Sequence, residues 1–161
     1  MNILVLCTGN KNRSAAGHYL LEKKLEGTLH KVDSAGTSFK NSDPKYPMGT
    51  KTRRAMEKFG MKFGTKADPT NGIREHRSKH ASKELVQWAD KILYMVEGHK
   101  KSMLEQYPDC GPKLVSVASF SGGKYDHIED PAWVKGDEIA VTVCNQIDEC
   151  LDSMIKEWNL K

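Results

Sequence analysis

The sequence lacks long apolar runs, and its few cysteines follow no recognisable pattern. No stretch reaches the roughly 18 consecutive apolar residues that a transmembrane helix requires. The N-terminal run that ends at Cys7 has no basic leader, so we expect no signal peptide. The four cysteines contain no CxxC pair, which argues against a disulfide scaffold and against a zinc ribbon. These absences predict a cytoplasmic protein with reduced thiols, no metal, no cofactor and no membrane partner.

Neither sign of charge dominates the chain. It has 25 Lys and Arg residues against 21 Asp and Glu residues, which gives a net charge of +4. This net positive charge is smaller than that of an obligate nucleic-acid-binding protein, whose surface is strongly basic. It still favours a substrate that carries negative groups. The length of 161 residues is typical of one domain. We therefore expect a single domain over residues 1–161 that acts as a monomer.

Strand and helix patterns alternate along the chain. The short aliphatic run Asn2–Leu6 is typical of a strand that is buried on both faces of a parallel sheet. A helix is predicted from Ser14 to about Gly27. Further strands are predicted at Lys31–Ser34, Lys91–Met95 and Lys113–Ala118, and further helices at Thr50–Phe59, Lys83–Ala89, Glu97–Gln106 and 139–158. This order predicts an α/β fold with a mainly parallel sheet, in which ligands bind beyond the carboxyl ends of the strands.

The loop after the first strand carries the strongest chemical signal. Between Cys7 and Ser14 it contains, in order, Thr8, Gly9, Asn10, Lys11, Asn12 and Arg13. Gly9 permits a tight turn whose backbone N–H groups converge on an anion, and the following helix adds its own N-terminal N–H groups. Arg13 supplies a planar fork that can hold two oxygens of a tetrahedral oxyanion.

These donors also bear on the cysteine. Each of them, together with the Ser14 hydroxyl, favours the thiolate form of Cys7 over the thiol. A nucleophilic sulfur beneath an oxyanion cradle predicts phosphoryl transfer through a cysteinyl-phosphate. The alternative interpretation is a buried structural cysteine, followed by a helix with Ser14 at its cap and Arg13 exposed.

Asp130 is a candidate proton donor. An attacking thiolate expels an alkoxide or phenoxide that needs a proton, and the same carboxylate can later activate the hydrolytic water. Pro131 fixes the backbone directly after Asp130, as suits a rigid donor loop. Taken by itself, the Asp-Pro pair is also consistent with an ordinary turn. Glu129 is expected to be a solvated neighbour.

The loop resembles that of the low-molecular-weight protein tyrosine phosphatases, whose pattern is C-x-G-N-x-C-R-S. Cys7, Gly9, Asn10, Arg13 and Ser14 match this pattern. Further similar segments follow in the family's order at Val32–Thr37, Arg53–Gly60, His76–Lys79, Ala89–Asp90, Ile92–Met95 and Ile128–Pro131. The resemblance implies a three-layer α/β/α fold with a four-stranded parallel sheet. It also implies hydrolysis of phosphotyrosine in phosphorylated proteins, or of small phosphate esters, with Asp130 as general acid.

The resemblance implies a structural role for one histidine. His76 is expected to brace the loop together with Asn10, Ser14 and Ser34, rather than to act as a general base. The other histidines show no spacing typical of metal ligands and are expected at the solvated surface; they are His18, His30, His80, His99 and His127. Cys110, Cys144 and Cys150 belong to no motif.

Trp133 and Phe39 are expected to form the walls that grip the flat ring of a phosphotyrosine. The family often has two aromatic residues directly after Asp-Pro, whereas Ala132 precedes Trp133 here. Asn12 stands where the family usually has a second cysteine, and Lys11 occupies a position that is usually apolar. Lys11 would favour a substrate with acidic flanks.

Three alternatives stay open. The run Asn12–Ser14 with His18 also resembles fold-related phosphatases that act on the tail of RNA polymerase II, so phosphoserine or another acidic phosphate ester is a possible substrate. An arsenate reductase on the same fold would need resolving cysteines, and none lies between Thr8 and Asp109. A non-catalytic phosphate-binding module would be expected to have lost Cys7, Arg13 or Asp130, and the sequence contains all three.

Overall fold

The computed structural model of the protein describes residues 1–42, 45–63 and 75–161. Within these ranges the strands are β1 (Asn2–Cys7), β2 (Lys31–Gly36), β3 (Lys91–Tyr94) and β4 (Leu114–Ser116). The helices are α1 (Arg13–Lys24), α2 (Phe39–Ser42), α3 (Thr50–Glu57), α4 (Lys83–Trp88), α5 (Glu97–Gln106) and α6 (Glu138–Glu157). Short 3₁₀ turns cover Pro108–Lys113, Val117–Ser121 and Pro131–Trp133. None of the described helices is both long enough and apolar enough to span a membrane.

The strands form one parallel sheet in the order β2-β1-β3-β4. The central strand β1 places Cys7 opposite Gly36 of β2, and Leu6 opposite Tyr94 of β3. Because the strands run in the same direction, their carboxyl ends meet at one edge of the sheet. The predicted four-stranded parallel sheet is confirmed.

Helices cover both faces of the sheet. Ile3 and Val5 of β1 pack in a core cluster with residues of α1, α3 and α6. Leu4 and Leu6 point the other way and pack with residues of α4 and α5. Alternate side chains of a strand face opposite sides, so a strand covered on both faces is apolar throughout, as the run Asn2–Leu6 indicated. The three-layer α/β/α arrangement is thereby confirmed.

The strand ends differ from the prediction where tertiary contacts intervene. β2 extends to Gly36, whose N–H donates to the carbonyl oxygen of Lys79 at 2.8 Å. A Cβ at position 36 would lie 2.6 Å from Ser42 Cβ and 2.7 Å from the carbonyl oxygen of Thr8, so only glycine fits there. This close approach lets the loop after β2 pack against the loop after β1. β4 ends at Ser116 instead of Ala118, because the chain turns into a 3₁₀ helix.

Candidate active site

A cavity of about 400 Å³ opens at the carboxyl edge of the sheet, beside the end of β1. Cys7 contributes to its wall and is only 4 % exposed, so its thiol can be reached only through the cavity. The lining residues are Cys7, Thr8, Gly9, Lys11, Asn12, Arg13, Asn41, Gly49, Asp130, Ala132 and Trp133. The fold therefore brings the Cys7–Ser14 loop together with Asp130, which follows Arg13 by 117 residues in the chain.

The sharp turn of the loop falls at Asn10 and not at Gly9. Asn10 has a left-handed backbone with φ of 52°, a conformation that asparagine tolerates better than most residues. Gly9 is needed for space, because a Cβ there would lie 2.9 Å from Lys11 Cε and 3.1 Å from the carbonyl oxygen of Asn41. Gly9 was predicted to permit the tight turn, but the left-handed residue of the turn is Asn10, and Gly9 is needed for close packing.

Asn10 is the centre of a buried polar network. Its Nδ2 donates to both Ser14 Oγ and Ser34 Oγ at 2.9 Å, and its Oδ1 accepts from the backbone N–H of Lys79 at 3.1 Å. Its carbonyl oxygen accepts from His76 Nε2 at 2.6 Å. The four residues predicted to brace the loop thus lie together, with Asn10 joining the others. A fully satisfied buried network of this kind holds a loop in one conformation.

Ser14 connects this network to the thiol. Its Oγ accepts a hydrogen bond from Asn10 Nδ2, so its own hydroxyl hydrogen is available to Cys7 Sγ, which lies 3.0 Å away. A hydroxyl that donates to sulfur favours the thiolate over the thiol. Ser14 is fully buried, so this donor is held in place.

Arg13 places a buried positive charge in the wall of the cavity. It is 5 % exposed; its Nη1 donates to the carbonyl oxygen of Ile128 at 2.9 Å, and its Nη2 lies 3.3 Å from Asp130 Oδ2. Its buried Nε–H has no partner among the described residues. A buried guanidinium N–H without an acceptor is costly, and an oxyanion in the cavity would supply that acceptor. The arrangement can therefore bind a tetrahedral oxyanion above a thiol.

Asp130 is held by its own turn as well as by Arg13. Its Oδ1 accepts from the backbone N–H of Ala132 at 3.0 Å, which caps the Pro131–Trp133 turn. The segment is tied to the sheet because the Ile128 N–H donates to the Met95 carbonyl oxygen at 3.0 Å. In the described ranges, no group of three or more His, Cys, Asp or Glu side chains is placed to hold a metal ion.

Of the two aromatic residues predicted to form walls, Trp133 lies at the cavity and Phe39 does not. Trp133 lines the cavity and is 88 % exposed. Phe39 stands instead against the ring of His80, with 5.5 Å between the ring centroids, and is not among the lining residues. Tyr46 is also not among the lining residues, but its ring contacts the loop, because Lys11 Nζ lies 4.7 Å from the ring centroid. No motif marked Tyr46 in the sequence.

Asn12 fills the position of the family's second loop cysteine. Its Oδ1 accepts from Thr52 Oγ1 at 2.8 Å. Its side chain packs directly against the backbone of Gly49, where a Cβ would collide with it. Asn12 thus ties the loop to the start of α3, and it lines the same cavity as Cys7.

Of the five histidines expected at the solvated surface, only His127 is exposed; His30 and His80 are half-buried, and the expectation is wrong for His99 and His18. His99 is 3 % exposed, and its Nε2 lies 3.1 Å from Thr8 Oγ1. His18 is partly buried; its Nδ1 lies 3.1 Å from Ser34 Oγ, and its ring stacks on that of Tyr19. The position of His18, four residues after Ser14 on the same helix face, could have indicated its place. Burial lowers the pKa of both histidines to about 4.

Acidification is expected to destabilise the fold as the pH falls from about 6.5 to 4. In this interval a histidine of the unfolded chain is protonated, whereas buried His18 and His99 stay neutral. The unfolded state therefore binds more protons, so the free energy of unfolding decreases as the pH decreases. For His99 the loss approaches about 3 kcal/mol near pH 4. Urea unfolding at several pH values measures it.

Two matched variants separate the contribution of His99 from that of other groups that titrate in the same pH range. His99→Gln should flatten the dependence of the unfolding free energy on pH, because the titrating group is removed. His127→Gln should leave it unchanged, since His127 is exposed. Equal slopes for the wild type and His99→Gln would contradict the prediction.

Comparisons with known proteins agree with this geometry. The family model for low molecular weight phosphotyrosine protein phosphatase matches residues 2–161. A protein-arginine-phosphatase of Geobacillus stearothermophilus is 30 % identical over 130 residues, 80 % of this chain and 77 % of that one. A low molecular weight protein-tyrosine-phosphatase of Acinetobacter johnsonii is 28 % identical over 131 residues, 81 % and 79 % of the two chains.

A solved structure shows the same fold. It is the low molecular weight protein tyrosine phosphatase of T. tengcongensis, which superposes with a TM-score of 0.80 at 25 % identity and covers 98 % of this chain and 99 % of that one. The family match includes the loop that begins at Cys7 and the segment that contains Asp130, so the two sides of the cavity are both part of the homologous region. The chain therefore belongs to the low-molecular-weight phosphotyrosine protein phosphatase family of cysteine-based hydrolases.

Proposed function

We propose that the protein hydrolyses phosphotyrosine in phosphorylated proteins through a cysteinyl-phosphate intermediate. The observation that supports this most is the joint position of Cys7, Arg13 and Asp130 in the wall of one cavity. The backbone of residues 8–12, with the Ser14 hydroxyl, forms the rest of the phosphate-binding loop. His76 and Ser34 hold that loop through Asn10.

In the first step the Cys7 thiolate attacks phosphorus and the bond from phosphorus to the tyrosyl oxygen breaks. Asp130 donates its proton to that oxygen, so the leaving group departs as a neutral phenol. Arg13 and the loop N–H groups bind the oxygens of the transferring phosphoryl group, with the unpartnered Arg13 Nε–H as one donor.

In the second step Asp130, now a carboxylate, takes a proton from water as the water attacks phosphorus. The bond between phosphorus and sulfur breaks and inorganic phosphate is released. Ser14 donates to the returning thiolate of Cys7 from 3.0 Å, which makes the sulfur a better leaving group.

The depth of the thiol bears on the choice of substrate. Cys7 is 4 % exposed, so the phosphate must be carried into the cavity by a side chain long enough to reach it. A tyrosyl side chain is longer than a seryl one, which favours phosphotyrosine over phosphoserine. Trp133 stands at the cavity as a surface for the ring, and Lys11 favours acidic residues beside the phosphorylated one.

Phosphoarginine is a second candidate substrate. The relative from Geobacillus stearothermophilus is named a protein-arginine-phosphatase, and an arginyl side chain also reaches a deep thiol. Ala132 leaves only Trp133 as an aromatic side chain on the Asp130 side of the cavity, and a guanidinium group does not need an aromatic pair. Arsenate reduction has less support, since Cys7 is the one cysteine among the residues that line this cavity.

A substrate panel tests the proposal. The reduced protein is assayed with p-nitrophenyl phosphate, and then with peptides of one sequence that carry phosphotyrosine, phosphoserine or phosphoarginine. Each peptide is made with acidic and with basic flanks. Turnover of the phosphotyrosine peptides, fastest with acidic flanks, is expected. Exclusive turnover of phosphoarginine would make the second candidate correct, and binding without turnover of any substrate would contradict both.

We further propose that residues 1–161 form one catalytic domain that works as a monomer. We place it in the cytoplasm, where reducing conditions keep the sulfur of Cys7 from being oxidised. Cys7, Arg13 and Asp130 line one cavity of a single copy, so the mechanism requires no second copy. Size-exclusion chromatography with light scattering tests the monomer. A rate that rises more than linearly with protein concentration would contradict it.

Peroxide inactivation is expected to become irreversible to dithiothreitol, and Asn12→Cys is expected to restore recovery. The Cys7 thiolate oxidises to sulfenic acid and, without a second thiol in the cavity, onward to sulfinic acid. The other cysteines are buried away from the cavity, and burial raises the pKa of Cys144 to about 12 and that of Cys150 to about 11. Activity after peroxide and then dithiothreitol is the measurement.

Asn12→Ala is the matched control for this experiment. It removes the same hydrogen bond from Thr52 without adding a thiol, so it should behave like the wild type after peroxide. Full recovery of the unmodified protein after prolonged oxidation would disprove the hypothesis, because another group would then be protecting the sulfur.

A further inference from the structure

A buried histidine outside the predicted machinery contacts the phosphate-binding loop. His99 of α5 is 3 % exposed, and its two ring nitrogens face different partners. Nε2 lies 3.1 Å from Thr8 Oγ1, and Nδ1 lies 3.4 Å from the backbone nitrogen of Met95. Thr8 follows Cys7 directly and lines the cavity.

The position of the ring proton follows from these contacts. The backbone N–H of Met95 can only donate, so His99 Nδ1 is the acceptor. Burial, and next the positive charge of Arg13, lower the pKa of His99 to about 4, so the ring is neutral at pH 7. A neutral ring carries one proton, which must therefore be on Nε2, and Nε2 donates to Thr8 Oγ1.

This donation fixes the direction of the threonine hydroxyl. A hydroxyl has one hydrogen to donate and two lone pairs with which to accept. Thr8 Oγ1 accepts from His99, and within the described part of the chain it has no other side-chain partner. Its own hydrogen is therefore free to point to an acceptor in the cavity.

We propose that the Thr8 hydroxyl binds the phosphate group of the substrate by donating to one of its oxygens, and that His99 is the residue that positions this hydroxyl. The inference rests on the proposed function, since it adds one side-chain donor to a site whose other donors are Arg13 and backbone N–H groups. A hydroxyl has no charge, so its contribution depends on being aimed correctly before the anion arrives.

Binding of inorganic phosphate, measured by calorimetry, tests the proposal without requiring turnover. Thr8→Val keeps the branched shape and removes the hydroxyl, and should weaken phosphate binding roughly 10-fold. Thr8→Ser keeps the hydroxyl and should stay within about threefold of the wild type. Thr8→Ala also lacks the hydroxyl and replaces Thr8→Val if the latter does not fold. Wild-type affinity in the valine or alanine variant would overturn the proposal.

Two variants of His99 separate positioning from simple packing. His99→Leu should weaken phosphate binding. His99→Gln should keep the phosphate affinity close to that of the wild type, because the glutamine amide can still donate to Thr8. In the double variant that combines Thr8→Val and His99→Leu, the affinity for phosphate should be almost the same as in Thr8→Val alone. Additive losses, or no rescue by glutamine, would show that His99 only fills space.

The outcomes also distinguish this proposal from the proposed function. A wild-type protein that hydrolyses phosphopeptides and binds phosphate, while Thr8→Val equals it in affinity, would refute the role of Thr8 and leave the function intact. A wild-type protein that neither binds phosphate nor hydrolyses any phosphopeptide would contradict both.

Discussion

Replacing Cys7 with serine is expected to remove turnover, with kcat lowered by roughly 10⁴-fold or more. The serine hydroxyl is far more weakly acidic than a thiol. Among the described residues, the side-chain hydrogen-bond partner of Cys7 is the Ser14 hydroxyl at 3.0 Å, which is not a base that could activate a serine. Binding of phosphate or vanadate should persist. The groups proposed to hold the anion are the loop backbone, Arg13 and the Thr8 hydroxyl, and the substitution changes none of them.

Steady-state kinetics with p-nitrophenyl phosphate and calorimetry with phosphate measure the two halves of this prediction. Cys110→Ser is the control, since Cys110 is also a buried thiol but lies outside the cavity. It should retain activity. Residual turnover of more than a few per cent in Cys7→Ser would show that another group is the nucleophile. Loss of phosphate binding would show that the sulfur helps to hold the anion.

Asp130→Asn is expected to lower the rate by roughly 10²–10⁴-fold for substrates whose leaving group needs a proton. The amide keeps an oxygen that can accept from the Ala132 N–H, as Asp130 Oδ1 does at 3.0 Å, so the turn should stay capped. The amide cannot donate an acidic proton to the leaving oxygen. The variant thus removes the chemical role of Asp130 while it preserves much of its structural role.

A series of aryl phosphates measures this effect. The loss should be large for phenyl phosphate and smaller for p-nitrophenyl phosphate, whose leaving group departs without a proton. Glu129→Gln is the matched control, because its carboxylate is adjacent, exposed and bonded to His127; it should change little. An equal loss of rate for all the aryl phosphates would exclude general acid catalysis by Asp130. The effect of the variant would then come from the changed contact with Arg13.

The fold was predictable because its signals are local. The apolar run of β1 indicated a strand covered on both faces, and the alternation with helices indicated a parallel sheet. The Cys7–Ser14 loop was also visible, since a nucleophile, a cradle of N–H groups and an arginine are all contained in eight successive residues. The family's order of segments then placed Asp130, which local chemistry left as an ordinary Asp-Pro turn.

Residues of the site that depend on long-range packing were not predictable in the same way. The short helix α2 places Phe39 against His80, and it is the ring of Tyr46 that Lys11 of the loop contacts. The burial of His99 gave no signal either. On α5 it shares a buried face only with Met103, and one histidine spaced four residues from a methionine in a charged helix does not indicate a core position.

The sequence by itself determined the layered fold and the position of the Cys7–Ser14 loop between strand and helix, because strand burial, helix starts and turn chemistry act between residues that are neighbours in the chain. The tertiary structure decided which remote side chains complete the site. Asp130 meets Arg13 across 117 residues, and His99 meets Thr8 across 91. Such contacts depend on how β3, α5 and the Asp130 segment pack at one edge of the sheet, because the packed apolar layers set which distant polar groups come within hydrogen-bond distance.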